Sequence, residues 1–188
     1  MILSAGLSGR MKKFKPLLPY KGKSFVQNIV HKLNPVCDTI IIVTGYKANE
    51  VTENVNDLSL HSKIEFVFNP DYEKGMFTSL QKGISETKNS DWVLYHFADQ
   101  PGLPEKFYSD FFKQIENNYN WIQPVNKDQK GHPILLGKDL FESIANSSAD
   151  SNLRDISKNP KVKKKYWECN YKEIFQDIDT EEDFSKLE

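Results

Sequence analysis

The chain has 188 residues, 38% of them hydrophobic, with twelve Phe and three Trp, so it can bury a sizeable core and is not a disordered polymer. A net charge of −1 argues against a binder of bulk nucleic acid, and no apolar run approaches the ~20 residues of a membrane span. Two distant cysteines, Cys37 and Cys169, and scattered histidines (His31, His61, His96 and His132) supply neither a disulfide framework nor a structural zinc cluster, which suits a reducing cytoplasm.

The apolar start at Met1 has no basic flank and no cleavage site of small residues, so no secretory leader is expected. "MILSA" reads as a first strand. Ser24 to Leu33 reads as a helix, because Ser24 and Gln27 form a capping-box pair and Phe25, Val26, Ile29, Val30 and Leu33 share one face. "TIIIVTG" is a continuous apolar run ending in glycine, the pattern of a buried parallel strand. A short helix over Asn49–Asn56, the strand "IEFVF" and the turn-rich "NPDYEKG" follow. A helix carrying Met76, Phe77, Leu80 and Ile84 comes next, with Met76 and Leu80 expected in the core. "WVLYHF" is another buried strand, and Pro104–Asn117 an amphipathic helix through Phe107, Tyr108, Phe111, Phe112 and Ile115.

Strand and helix alternate through about four units, which predicts one α/β domain over residues 1–188 with a mostly parallel central sheet flanked by helices. "WIQPV" and "HPILL", joined by the polar turn "NKDQKG", predict a partly antiparallel second half.

Charge is unevenly spread. Arg10, Lys12, Lys13, Lys15, Lys21, Lys23 and Lys32 all precede the first acidic residue, Asp38, while half of the last twelve residues are Asp or Glu. A local cationic field of this kind points to a local anionic ligand. The opening loop, "SAGLSGRMKKFKPLL", fails two phosphate-binding patterns. It lacks G-x-G-x-x-G, and Gly22-Lys23-Ser24 has Leu17 where a Walker loop needs its first glycine, so that tripeptide reads as a turn and helix cap. What remains is a strand, the small residues Ser4, Ala5, Gly6, Ser8 and Gly9, then Arg10 and Lys15. Backbone amides of such a loop can approach phosphate oxygens, with Arg10 as a bidentate fork and Lys15 as a point charge. A surface turn with solvated lysines fits the same composition.

"LSAGLSGRMKKFKPLL" resembles the signature of nucleotidyltransferases that attach a nucleoside monophosphate to a phosphorylated acceptor. "NPDYEKGMFTSLQKGI", "FADQPGLP", "GHPILL" and "DIDTEEDF" follow in order, and together the five stretches resemble the MobA-like group, specifically the molybdenum cofactor cytidylyltransferases. The resemblance implies a single-domain, Rossmann-like (GT-A-like) nucleotidyltransferase fold. It implies CTP as donor, Mg²⁺ as cofactor, molybdopterin as acceptor, and a transient contact with a molybdoenzyme or its chaperone. Lys12 stands where the family has Gly and Ser4 where it has Ala, which bears on the substrate more than on the fold.

By this resemblance Lys15, Arg10 and Asp99 are catalytic, and Asp99 and Asp179 hold the metal, with Asp177 the rival of Asp179. Leu3, Ser4, Ala5, Gly6, Ser8, Gly9, Arg10, Lys15, Thr44, Gly45, Gly75 and Ser79 bind the nucleotide, while His132, Asn152 and Arg154 face the acceptor. Each has a plainer reading: Asp99 as a turn cap before Pro101, Asp179 as the approach to a helix capped by Thr180, His132 as a structural hydrogen-bonder. Three other functions stay open. They are a guanylyl- or other nucleotidyltransferase acting on a sugar or alcohol phosphate, a non-catalytic nucleotide-binding chaperone, and an RNA-binding module, the last disfavoured because the lysine segment lacks an aromatic stacking pattern.

Overall fold

A computed structural model of the chain describes residues 1–7, 11, 13–56, 58–87 and 89–187. Strand β1 (Ile2–Ser4) is short and wholly buried. Lys21 and Gly22 both take positive φ, 49° and 78°, and so close β2 (Pro19–Tyr20) onto β3 (Lys23–Ser24) as a two-residue hairpin. The hairpin runs into helix α1 (Phe25–Leu33). There the Ser24 hydroxyl accepts from the Gln27 amide at 3.1 Å, and the Gln27 side chain accepts from the Ser24 amide at 3.0 Å. Gly22-Lys23-Ser24 is therefore the turn and cap that its residues suggest.

Strand β4 (Thr39–Thr44), helix α2 (Ala48–Asn56), strand β5 (Lys63–Phe68), helix α3 (Met76–Ser85), strand β6 (Trp92–Phe97) and helix α4 (Glu105–Phe112) continue the alternation. Beyond them come β7 (Trp121–Asn126), β8 (Gln129–Lys130), β9 (Ile134–Gly137), α5 (Phe141–Ala145), α6 (Leu153–Ser157), β10 (Lys164–Glu168) and α7 (Glu181–Ser185). The sheet runs β10-β7-β9-β6-β1-β4-β5, with β8 beside β7. β1 lies parallel between β4 and β6, β5 extends that parallel set, and β10 is parallel to β7. β9 runs antiparallel to both β6 and β7, which is the antiparallel element expected in the second half.

The period of two along the strands sorts the core into two layers. Ile2, Ile40, Ile42, Leu94, Ile122 and Leu135 face α1, α2 and α4, through residues such as Val30, Val51, Phe107 and Phe111. Leu3, Ile41, Val43, Val93, Trp121 and Leu136 face α3, α5 and α6, through Phe77, Leu80, Ile84, Ile144 and Ile156. Pro124 is tolerated inside β7 because its ladder with β9 has already ended at Ile122. A third, smaller cluster of Met11, Leu18, Phe25, Ile178 and Leu187 docks the end of the chain against the hairpin and the start of α1.

Two expectations are corrected. The fourth helix stops at Phe112 rather than Asn117, since the amides of Gln114 and Ile115 reach Phe111 and Phe112 in three-residue turns before the Asn-rich stretch that follows. β10 has no counterpart in the sequence reading: its lysine-rich alternation masks a strand that is held by pairing with β7. No described helix is long and apolar enough to cross a membrane.

Phe25 is fully buried at the joint between the hairpin, α1 and the chain terminus, with the Phe184 ring centroid 6.0 Å from its own. Phe25→Ala is expected to destabilise the fold by about 3–5 kcal/mol and to expose residues 177–187 to protease first, as measured by urea denaturation and limited proteolysis.

Candidate active site

The carboxyl ends of β1 and β6 open into a cavity of about 460 Å³, the position at which parallel sheets hold ligands. One wall is the end of β1 with the turn after it: Leu3, Ser4, Ala5 and Gly6. Tyr72, Gly75, Met76 and Ser79 form a second wall, and Lys15, Asp99, Asp177 and Asp179 a third. Ser8, Gly9, Arg10 and Lys12 lie outside the described residues.

Lys15 opens a single 3₁₀ turn (Lys15–Leu17) and is buried. Its Nζ lies 3.2 Å from Asp99 Oδ2 and 2.5 Å from Asp179 Oδ1. Asp99 follows β6, and its carbonyl accepts the Ile178 amide at 3.1 Å, which clamps the C-terminal segment beside it. Burial pushes the Asp99 carboxyl up, and the neighbouring Asp179 charge adds to this, against the pull of Lys15. Asp177 is raised for the same reason, burial first and then Asp99, while the Gln100 amide donates to its Oδ1 at 2.6 Å. The plainer reading of the acidic end, a capped helix, is realised. Thr180 and Asp183 form a capping box for α7, and Asp179, one residue earlier, reaches Lys15.

The second wall depends on Asn69, which the sequence reading did not single out. Its side-chain nitrogen donates to the hydroxyls of Thr78 and Ser79, each at 3.0 Å, its oxygen accepts the Asp71 amide at 3.0 Å, and its own amide donates to Thr44 at 2.8 Å. The only hint in the sequence is a polar residue before proline at a strand end. Gly75 has φ 123°, a conformation reserved for glycine, and turns the chain into α3. Ser79 lines the cavity, whereas Thr78 bonds the backbone of its own turn. Met76, expected in the core, is 57% exposed at the rim, because a first-turn residue of α3 points out over the cavity mouth instead of down onto the sheet.

Thr44 and Gly45 do not line the cavity. Thr44 is buried beside Ser4 in register, and Gly45 has no space for a Cβ, which would meet Tyr72 Cβ at 2.6 Å and the Ala5 carbonyl at 2.8 Å. Gly45 thus lets Tyr72 close against the β1 turn. His132 stacks obliquely on Phe97, ring centroids 4.7 Å apart, and burial lowers its imidazole to about 4, so it is neutral near neutral pH. Asn152 is spent on capping α6, where it accepts the Asp155 amide at 3.0 Å; Arg154 is exposed, and neither residue lines the cavity.

The donor set fits a hard divalent cation. The carboxylates of Asp99 and Asp179 converge on the Lys15 ammonium, and hard oxygen donors of this kind, shared with substrate phosphates, are the ones Mg²⁺ takes.

Convergent carboxylates and a buried lysine at the carboxyl ends of a parallel sheet place this cavity where α/β enzymes bind their ligands. Residues 1–165 match the MobA-like NTP transferase domain, and the chain belongs to that family of nucleotidyltransferases. It is 31% identical to the molybdenum cofactor cytidylyltransferase of Escherichia coli K12 over 98% of this chain and 92% of that one. It is 23% identical to a probable molybdenum cofactor guanylyltransferase of Bacillus cereus Q1 over 72% of this chain and 64% of that one. The fold superposes on Rv0371c of Mycobacterium tuberculosis H37Rv with TM-score 0.82 at 19% identity, covering 99% and 94% of the two chains. Rv0371c has also been solved in complex with manganese (TM-score 0.77, 17% identity, 99% and 95% coverage).

Because burial raises Asp99, its carboxylate weakens the fold between the unfolded carboxyl value and the higher folded one, and the penalty persists at all higher pH. Asp99→Asn is therefore expected to melt above the parent near neutral pH. The gap should close as pH falls below the carboxylate range, which calorimetry across pH checks.

Proposed function

We propose that this protein transfers CMP from CTP to the terminal phosphate of molybdopterin and releases pyrophosphate, a step in maturation of the molybdenum cofactor. The observation that carries the reading is the convergence of Lys15, Asp99 and Asp179 beside the small-residue turn after β1. The near full-length similarity to a cytidylyltransferase favours CTP. The guanylyltransferase relatives make GTP the second candidate for the same chemistry.

In this reading the acceptor phosphate oxygen attacks the α-phosphorus, the bond from that phosphorus to the bridging oxygen breaks, and pyrophosphate leaves with the electron pair. No general base is required, since a phosphate nucleophile is already ionised near neutral pH. Amides of the turn after β1, with Arg10, hold the β- and γ-phosphates. Lys15 offsets charge that builds on the α-phosphate, so catalysis is mainly positioning and electrostatic stabilisation. Ser79 and the backbone at Gly75 flank the nucleoside, and His132, packed on Phe97, borders the acceptor. Asp99 and Asp179 would hold a Mg²⁺ ion, which supplies Lewis-acid charge neutralisation to the triphosphate.

Pyrophosphate release with each NTP and molybdopterin tests the assignment. CTP is expected to be the productive donor, with Lys15→Ala lowering turnover by about 10²–10³-fold. Turnover with GTP instead keeps the chemistry and moves the base, and binding of nucleotide without pyrophosphate release rejects the enzyme reading in favour of a cofactor chaperone.

A further inference from the structure

The Lys15 ammonium occupies the place that a divalent cation needs. It lies within 3.2 Å of one oxygen of Asp99 and 2.5 Å of one oxygen of Asp179, and it is buried against the floor of the cavity. Asp177 brings a third carboxyl to the same wall, bonded to Gln100. A small divalent ion binds carboxylate oxygens at about 2 Å, which would put two like charges within a few ångströms of each other at low solvent exposure. Lysine and metal therefore compete for the same pair of oxygens.

We infer that Lys15 is a resident counter-cation whose displacement sets the order of binding, with nucleotide first and metal second. The inference rests on the proposed nucleotide and metal reading of this cavity. Without a triphosphate, the ammonium rests on Asp99 and Asp179 and offsets their charge. A triphosphate seated on the turn after β1 offers Lys15 a new set of oxygens. Lys15 then no longer competes for the two carboxylates, and phosphate oxygens beside them complete the coordination of a hard cation. Nucleotide and metal binding become coupled through one side chain, beyond the direct chelation of metal by the triphosphate, and linkage makes the coupling reciprocal. The arrangement also keeps the carboxylates from being captured by free metal between turnovers. The 3₁₀ turn that begins at Lys15 and the clamp of Ile178 on Asp99 hold both ends of the contact, so the long lysine side chain is the part that moves.

Titration of Mn²⁺ followed by its paramagnetic resonance signal, on the parent, Lys15→Met and Lys15→Arg, separates the possibilities without reference to turnover. In the absence of nucleotide, Lys15→Met is expected to bind Mn²⁺ at least about fivefold more tightly than the parent, because the ammonium that competes for both carboxylates is gone. Lys15→Arg, which keeps the charge, should stay close to the parent. A melting curve for each variant confirms that it is folded, and the double variant Lys15→Met/Asp99→Asn should lose the gain. Lys15→Met binding Mn²⁺ no more tightly than the parent overturns the inference, even where a non-hydrolysable CTP analogue promotes Mn²⁺ binding and the metal reading stands. Absence of Mn²⁺ binding by every protein, with and without nucleotide, overturns the inference and the metal site together.

Discussion

The contact of Lys15 with Asp99 and Asp179 joins three parts of the chain that are 84 and 164 residues apart in sequence. Most of the architecture can be understood as the means of closing that contact. β1 sits at the centre of the sheet, so the turn that follows it emerges beside the end of β6, and Asp99 lies immediately past that end. The C-terminal segment is carried back over the same edge, where Ile178 pairs with Asp99 and packs into the small cluster with Phe25. A partly buried ion pair of this kind contributes little net stability, because desolvation offsets most of the Coulombic gain. Burial pushes Asp99 of this contact, and Asp177 beside it, towards the neutral form. The arrangement is one that chemistry requires and that folding alone would not select.

The second half of the sheet is organised around this return of the chain. β9 enters antiparallel between β6 and β7, and β10 then adds parallel to β7 at the far edge, which directs the chain towards the cavity. The turn at Lys172–Phe175 brings Ile174 against Gly131 so closely that a Cβ there would meet it at 2.5 Å. That close approach lets the His132 amide bond the Ile174 carbonyl at 2.9 Å, and so places the imidazole against Phe97.

Three buried side-chain polar atoms have no partner among the described residues: Ser4 Oγ, Gln100 Oε1 and His132 Nδ1. All belong to the cavity or its immediate support. Ser4 lines it, Gln100 holds Asp177, and His132 packs on Phe97. Folded proteins leave few such atoms, and each costs roughly 1–3 kcal/mol. Their concentration at one end of the sheet, beside two buried hydrophobic layers, is the pattern of a fold that departs from local optimality at its working site.

The sequence alone determined the elements whose signal is short-range. Continuous apolar runs marked the strands "TIIIVTG" and "WVLYHF", and a period of three to four marked the helix from Phe25. The capping pair Ser24–Gln27 and the Thr180 cap followed from side chains close in sequence, and the order of motifs carried the family. The tertiary structure decided whatever depends on closure between distant segments. It sent Asp179 to Lys15, made Asn69 the organiser of the α3 wall, put Met76 at the rim, and spent Asn152 on a cap away from the cavity. Local hydrogen bonds and periodic burial are legible in a string because they involve neighbours. The direction in which a carboxylate or an amide finally points is set by residues tens or hundreds of positions away, and those distances exist only once the sheet has formed.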